Sequence, residues 1–245
     1  ERHGYDPTCR AAAADATRGL EQAADLTAQL LAGRGRALAG GARVFVQGPY
    51  FRALVAGQRR DDLLDQAFEA AGQLEAAWVF ITDERGVLLA KSDEPGAFGA
   101  AMGAIPLVAG ALEGRETSGF GASRDTLLFQ TVCLPVVVPG AAPVGTLTAT
   151  RVVDARLARD VRAATGTDVV FYTVDPAGRR RVAAATLPRA LADTLVADTA
   201  AHAGRWRRQQ AALVTAGGEV VGGYMVLRAA AGVPSGLAAV RGALL

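Results

Sequence analysis

The chain carries the same hairpin twice, and that repetition restricts the folds open to it. Residues 78 to 92 read WVFITDERGVLLAKS and residues 168 to 185 read DVVFYTVDPAGRRRVAAA. Each is a β-branched and aromatic run, an Asp/Gly turn and a second run, the pattern of an antiparallel hairpin. Each also has a partner downstream: VGTLTATR at 144–151 and VGGYMVLR at 221–228 share a Val-Gly start and an Arg at the same step. The turn glycines Gly86 and Gly178 lie 92 residues apart, whereas the strand glycines Gly145 and Gly222 lie only 77 apart. The second copy therefore lacks 15 residues between its hairpin and its last strand. Two lobes of one design follow, the second trimmed where the first is elaborated.

The rest of the chain supplies helices. From Arg10, the stripe Leu20, Ala23, Ala24, Thr27, Leu30 and Leu31 predicts a helix to about Leu38, and Gly33, Gly35, Gly40 and Gly41 weaken its continuation. Gly48-Pro49 breaks the chain, and Asp61-Asp62 open a further helix carrying Leu63, Leu64, Ala67, Phe68, Ala71 and Leu74. In the first lobe, strands near 78–83 and 87–92 lead into a Gly-rich excursion over 93–123. That excursion holds a short helix bounded by Pro106 and Gly114. Strands over 126–138 and 144–153 flank PGAAP and complete an antiparallel sheet of about five strands. Asp154 caps a linking helix that Gly166 ends. The second lobe has a helix over 188–202, stopped by Gly204, and strands over 205–215 and 219–228. The expected organisation is a helical stalk at 1–76, a larger lobe at 77–153, a linking helix at 154–166, a smaller lobe at 167–230 and an exit segment at 231–245.

Composition removes several function classes. Twenty-six basic residues against 24 acidic leave +2, too little for a nucleic-acid footprint, and the arginines are scattered. No stretch reaches about 20 uninterrupted apolar residues, since Val132 to Ala149 contains Pro135, Pro139 and Pro143. With no initiator Met, no signal peptide and an apolar, helix-like tail SGLAAVRGALL, the chain reads as a segment of a longer protein. Cys9 and Cys133 are too few and too distant for a disulfide framework or a zinc site, and are expected unbridged. His3 and His202, the only histidines, cannot assemble a Ser/His/Asp triad or a His-bearing metal cluster within a lobe. No GxxxxGK is present. Neither enzymatic activity nor a metal or other cofactor is expected.

The excursion between Lys91 and Thr126 can close over one face of the first sheet, and the candidate site is placed there. Lys91 ends the otherwise apolar VLLAK, and a cation beside a hydrophobic wall suits a small anion with an apolar end. Phe120 and Phe129 are pocket walls or plain core, and Arg124 is an exposed cation at the end of the excursion. Gln130 and Thr148 are polar residues inside apolar strands. Because strand faces alternate, Gln130 and Phe129 point to opposite sides.

FITDERGVLLAKSDEPGAFG at 80–99, PLVAGALEGR at 106–115 and VGTLTATRVVDARLARDV at 144–161, behind a long helical lead and within two successive hairpin lobes, resemble the double Cache family of extracytoplasmic sensor domains. The likeness spans most of residues 10–240. The Trp, Arg and Tyr signature of its amino-acid receptors is not visible. The resemblance implies an α+β fold, a long N-terminal helix followed by two PAS-like (Cache) antiparallel-sheet lobes in tandem. It implies a periplasmic ectodomain held by a membrane helix on each side, with the larger lobe membrane-distal and the smaller membrane-proximal. A histidine kinase, chemotaxis module or cyclase would follow in the cytoplasm, and weak homodimers would form. The expected ligand is a small carboxylate in the first lobe. The second lobe, with eight basic against five acidic residues over 168–228, would transmit. The alternative is a protein-interaction module with no small ligand, a filled first lobe and an exposed apolar patch.

Overall fold

The computed structural model describes residues 7–123, 126–197 and 205–230, with side chains from residue 15 onward. Three helices, α1 (Pro7–Gln47), α2 (Pro49–Ala56) and α3 (Arg60–Gln73), precede the first strand. The first lobe follows with β1 (Trp78–Asp83), β2 (Leu88–Lys91), α4 (Pro106–Leu112), β3 (Thr117–Ala122), β4 (Leu128–Val137) and β5 (Pro143–Val152). Helix α5 (Ala155–Thr165) leads to β6 (Asp168–Val174), β7 (Arg180–Ala185), α6 (Arg189–Ala197), β8 (Trp206–Val214) and β9 (Val220–Ala229). The strands form two antiparallel sheets, ordered β2-β1-β5-β4-β3 and β7-β6-β9-β8. This is the expected α+β fold, a long helix followed by two PAS-like sheets.

The repeat is visible atom by atom. Asp83 Oδ1 accepts from the Arg85 and Val87 N–H groups at 2.9 and 2.8 Å, and Asp175 Oδ1 accepts from Ala177 and Arg179, both at 2.9 Å. Gly86 and Gly178 close these turns at the same φ of 77°, a region that favours glycine. At the open end of each hairpin a hydroxyl takes the amide of the strand's second residue: Ser92 Oγ from Val79, Thr186 Oγ1 from Val169. Gly145 and Gly222 share one reason to lack a side chain. A Cβ on the first would overlap the Thr82 carbonyl oxygen, and on the second that of Tyr172.

Among the described residues only β3 has no counterpart in the second lobe, so the trimming falls on an edge strand. The glycines of TSGFGA argue for loop when read alone, and the structure corrects this. A Cβ on Gly121 would overlap the Phe129 ring, and one on Gly119 would meet the backbone of Ala216 in the β8–β9 turn. Close packing on both sides, rather than conformational freedom, requires glycine there.

Helix α1 also exceeds its expected end near Leu38. Its glycines cost about 1 kcal/mol each in propensity, but packing outweighs that cost. A Cβ at Gly35 would press on the Gln130 amide, and one at Gly41 would overlap a Leu74 methyl group. Leu38, Ala39, Ala42 and Val46 join α2 and α3 against Val79, Ile81, Leu134 and Leu147 of the first sheet. Leu20, Ala23, Ala24 and Leu31 pack with α5 against Val169, Phe171 and Val226 of the second. One helix thus serves both cores. Arg34 Nη2 donates to Val152 O at 2.7 Å and Arg151 Nε to Leu74 O at 3.0 Å, fixing α1 and α3 to the end of β5. Asp154 Oδ1 caps α5 through Leu157 N, and Gly166 ends it at φ 66°, both as expected. Among the described residues no helix is long and apolar enough to cross a membrane. The expected exit segment 231–245, with His202 and Gly204, lies outside the described residues.

Candidate functional site

Helices α1 to α3 cover one face of the first sheet, and α4 covers the other. Register and alternation bring a row of hydroxyls onto this second face. Thr82 stands opposite Thr146, Thr131 opposite Thr150, and Cys133 opposite Thr148. Thr82, Thr146, Thr148 and Thr150 are no more than 1% exposed. They are hydrogen-bonded across strands: Thr82 with Thr146 at 2.8 Å, Thr150 to Thr131 at 3.0 Å, and Thr148 to Cys133 Sγ at 3.0 Å. Such pairing is what makes buried hydroxyls tolerable. Leu107, Val108 and Ala111 of α4 pack over Phe80, Leu88 and Cys133 to close the face. Burial pushes the Cys133 thiol up to about 11, against the lowering effect of the Thr148 and Thr146 hydroxyls, so it remains a neutral S–H.

The second lobe answers differently at the same steps. With Gly145 matched to Gly222, the positions of Thr146, Thr148 and Thr150 hold Gly223, Met225 and Leu227, and that of Thr82 holds Tyr172. Met225 and Leu227 pack with Leu195 and Val196 of α6 and with Trp206. The inner face is a hydroxyl row in one lobe and plain apolar core in the other.

The residues singled out from the sequence divide between two places. Lys91 pairs with Phe80 and so faces the α4 side. Its Nζ lies 2.9 Å from Glu94 and 3.3 Å from Asp93, and its side chain is 21% exposed. Phe129 meets Trp78 edge-on at 5.1 Å, and Thr148 sits within the row. Gln130 points to the opposite face, as alternation requires, and its Nε2 donates to Leu31 O of α1 at 2.8 Å. Phe120, its register partner, shares that side. Arg124 lies outside the described residues. The structure adds Thr82, Thr131, Thr146 and Thr150 to the residues singled out from the sequence. Thr at every second step of GTLTATR was the available signal.

Gln130 and Phe120 line a groove of about 460 Å³ between α1, the β3–β4 edge and β8, together with Leu31, Arg36, Ser118 and Tyr224. Tyr224 donates its hydroxyl to Ala24 O at 2.9 Å, and burial first, then the Asp25 carboxylate, pushes this phenol above its ordinary range. Each sheet therefore sends one polar side chain to a main-chain carbonyl of α1. Cys133 is a free, buried thiol, while the Cys9 side chain lies outside the described ones. Among the described residues no group of three or more His, Cys, Asp or Glu is placed to hold a metal ion.

Known proteins share this architecture. The family described as the double sensory domain of two-component sensor kinases matches residues 14–211. No curated protein sequence matches the chain. Among solved structures, the periplasmic domain of Vibrio cholerae LuxQ aligns over 86% of this chain and 100% of its own, at 18% identity and a TM-score of 0.62. The sensor domain of the V. cholerae histidine kinase DctB aligns over 90% and 98%, at 12% identity and a TM-score of 0.56. The ligand-binding domain of the Campylobacter jejuni chemoreceptor Tlp3, in complex with L-valine, aligns over 93% and 98%, at 11% identity and a TM-score of 0.54. At these identities the likeness is one of fold.

Proposed function

The chain belongs to the double Cache family of sensor domains, the double sensory domain of two-component sensor kinases, and on that premise we propose that its first lobe receives a small organic acid between the threonine row and α4. The observation that carries this reading is the contrast of inner faces. Hydroxyls at Thr82, Thr146, Thr148 and Thr150 replace the apolar core that the second lobe builds at the same steps. Hydroxyls donate to carboxylate oxygens, and Phe80, Leu88 and Leu107 offer an apolar end wall. Lys91, on the same side of the sheet, exchanges Asp93 and Glu94 for the ligand's carboxylate. Entry separates α4 and the 93–105 loop from the sheet. The β8–β9 turn, with Ala216 against Gly119 and Gly217 against Pro106, carries that movement into the second lobe.

In this reading the domain is periplasmic, stalk at 1–76, membrane-distal lobe at 77–153, linking helix at 154–166 and membrane-proximal lobe at 167–230. It is anchored by flanking membrane helices, pairs weakly with a second copy through α1 and performs no chemistry of its own. Its output is a histidine kinase, a chemotaxis module or a cyclase. Calorimetry with acetate, propionate, lactate, pyruvate and succinate tests the ligand class. Saturable binding of at least one acid, lost in the double variant Thr82→Val/Thr146→Val, is the expected result. Absence of heat with all five overturns the acid reading.

A second reading, an ectodomain that meets a protein partner and takes no small ligand, is favoured by two observations. The row's hydroxyls are closed under α4 with their bonds made among themselves, and Val44 and Tyr50 expose apolar surface where α1 meets α2. Capture of a partner that Tyr50→Glu abolishes, with no acid bound, is its signature.

A further inference from the structure

We infer that the groove between α1 and the two sheets is a second small-molecule site, for a neutral hydroxylated ligand, a polyol or sugar, that donates an O–H to Gln130. Gln130 is only 6% exposed, and its Oε1 has no hydrogen-bond partner. Its amide orientation is fixed, because Nε2 donates to Leu31 O, and a flip would set oxygen against oxygen. The bare Cα of Gly35 admits the amide this close to α1. A buried acceptor left unpaired is costly, and a donor arriving from the groove removes the cost.

The surroundings select the rest of the ligand. The Phe120 ring and Leu31 offer apolar wall, and Ser118 and Arg36 offer further polar groups toward the opening. Glu116, the carboxylate on the same wall, is engaged by Arg43 at 2.5 Å, and beside Arg36 it leaves no excess of one sign. A neutral molecule with several hydroxyls and a C–H face meets these conditions, in a volume typical of small-molecule sites. The groove is bounded by α1, the first sheet and the second sheet. A ligand there ties both lobes to the stalk, which makes it a modulator of coupling, separate from the acid site across the sheet.

Nuclear magnetic resonance of the ¹⁵N-labelled chain tests this with three probes: D-glucose, myo-inositol and glycerol. At least one is expected to shift the Gln130 side-chain amide pair saturably. Ala32→Trp, at an exposed α1 position on the groove wall, is expected to abolish binding while leaving the melting temperature unchanged. Gln130→Met should weaken binding at least about ten-fold. Thr148→Val, across the sheet, should leave it intact. No shift at Gln130 with any of the three, or binding that survives Ala32→Trp, overturns the inference. Should Gln130→Met fail to fold, Ala32→Trp decides alone.

Discussion

Where the first lobe carries Thr146, Thr148 and Thr150 beneath α4, the second carries Gly223, Met225 and Leu227 beneath α6. The hairpin turns, the closing hydroxyls and the strand glycines are shared; the inner faces and the edge strand β3 are not. The difference teaches that this fold fixes its frame through backbone contacts and leaves the inner face open to either chemistry. An apolar face needs only packing. A hydroxyl face must pair every donor and acceptor, and the first lobe does so with cross-strand threonine pairs.

The largest expected effect tests what the lobes share. Gly145→Ala and Gly222→Ala each drive a Cβ into a carbonyl oxygen of the neighbouring strand, and each should destabilise by about 3 kcal/mol in denaturant unfolding. A large loss in one lobe with none in the other would break their equivalence.

Next comes the pH dependence carried by one residue of the first lobe. Cys133 has a folded-state value raised from 9.0 to about 11, whereas the matching step of β8 holds the exposed Gln210. A raised value means that the folded state holds the proton more tightly. The stabilisation is therefore fully present below pH 9 and is lost as pH rises through about 11. Such a shift corresponds to at most about 3 kcal/mol. The stability difference between wild type and Cys133→Ala should shrink over that window and stay flat below it; a flat difference throughout would place the thiol in contact with water.

Lys91 sharpens the functional side of the contrast. Lys91→Ala should weaken acid binding by about 1.5 to 3 kcal/mol, roughly ten-fold to over a hundred-fold, as measured by calorimetry. Its pairs with Asp93 and Glu94 are partly exposed, so the free protein's melting temperature should barely move. Glu94→Gln, which removes a competitor for the ammonium, should tighten binding a few-fold. Unchanged affinity in both variants would take Lys91 out of the site.

The smallest effect concerns the element that both lobes use. Leu26 and Leu30 are exposed one turn apart on α1, and sedimentation should show weak self-association that Leu30→Glu abolishes. A strict monomer at high concentration, with and without acid, would remove α1 from the pairing surface.

Much of the frame was legible because its signals are local. An Asp followed by Gly three residues on sets each hairpin turn, Asp154 and Gly166 bound α5, and Pro106 opens α4. Two-residue periodicity likewise placed Gln130 and Phe129 on opposite faces. The misses share one cause. Gly35 and Gly41 look like helix breakers until Gln130 and Leu74 are packed against them, and TSGFGA looks like loop until Phe129 and the β8–β9 turn occupy the space that side chains would fill. Of the site, Thr148 and Lys91 could be named from their strands. The pairing of Thr82 with Thr146 depends on residues 64 apart in sequence.

The sequence by itself determined the two-lobed repeat, the position of each turn and cap, and which residues alternate on each strand, because these depend on neighbours a few bonds away. Only the tertiary structure decided that α1 runs unbroken through both cores, that β3 within the glycine-rich excursion forms the edge of the first sheet, and that the candidate residues divide between the α4 face and the groove beside α1. Those outcomes depend on which surfaces meet. A contact between Gln130 and Leu31, or between Gly119 and Ala216, leaves no trace in the local pattern of either partner.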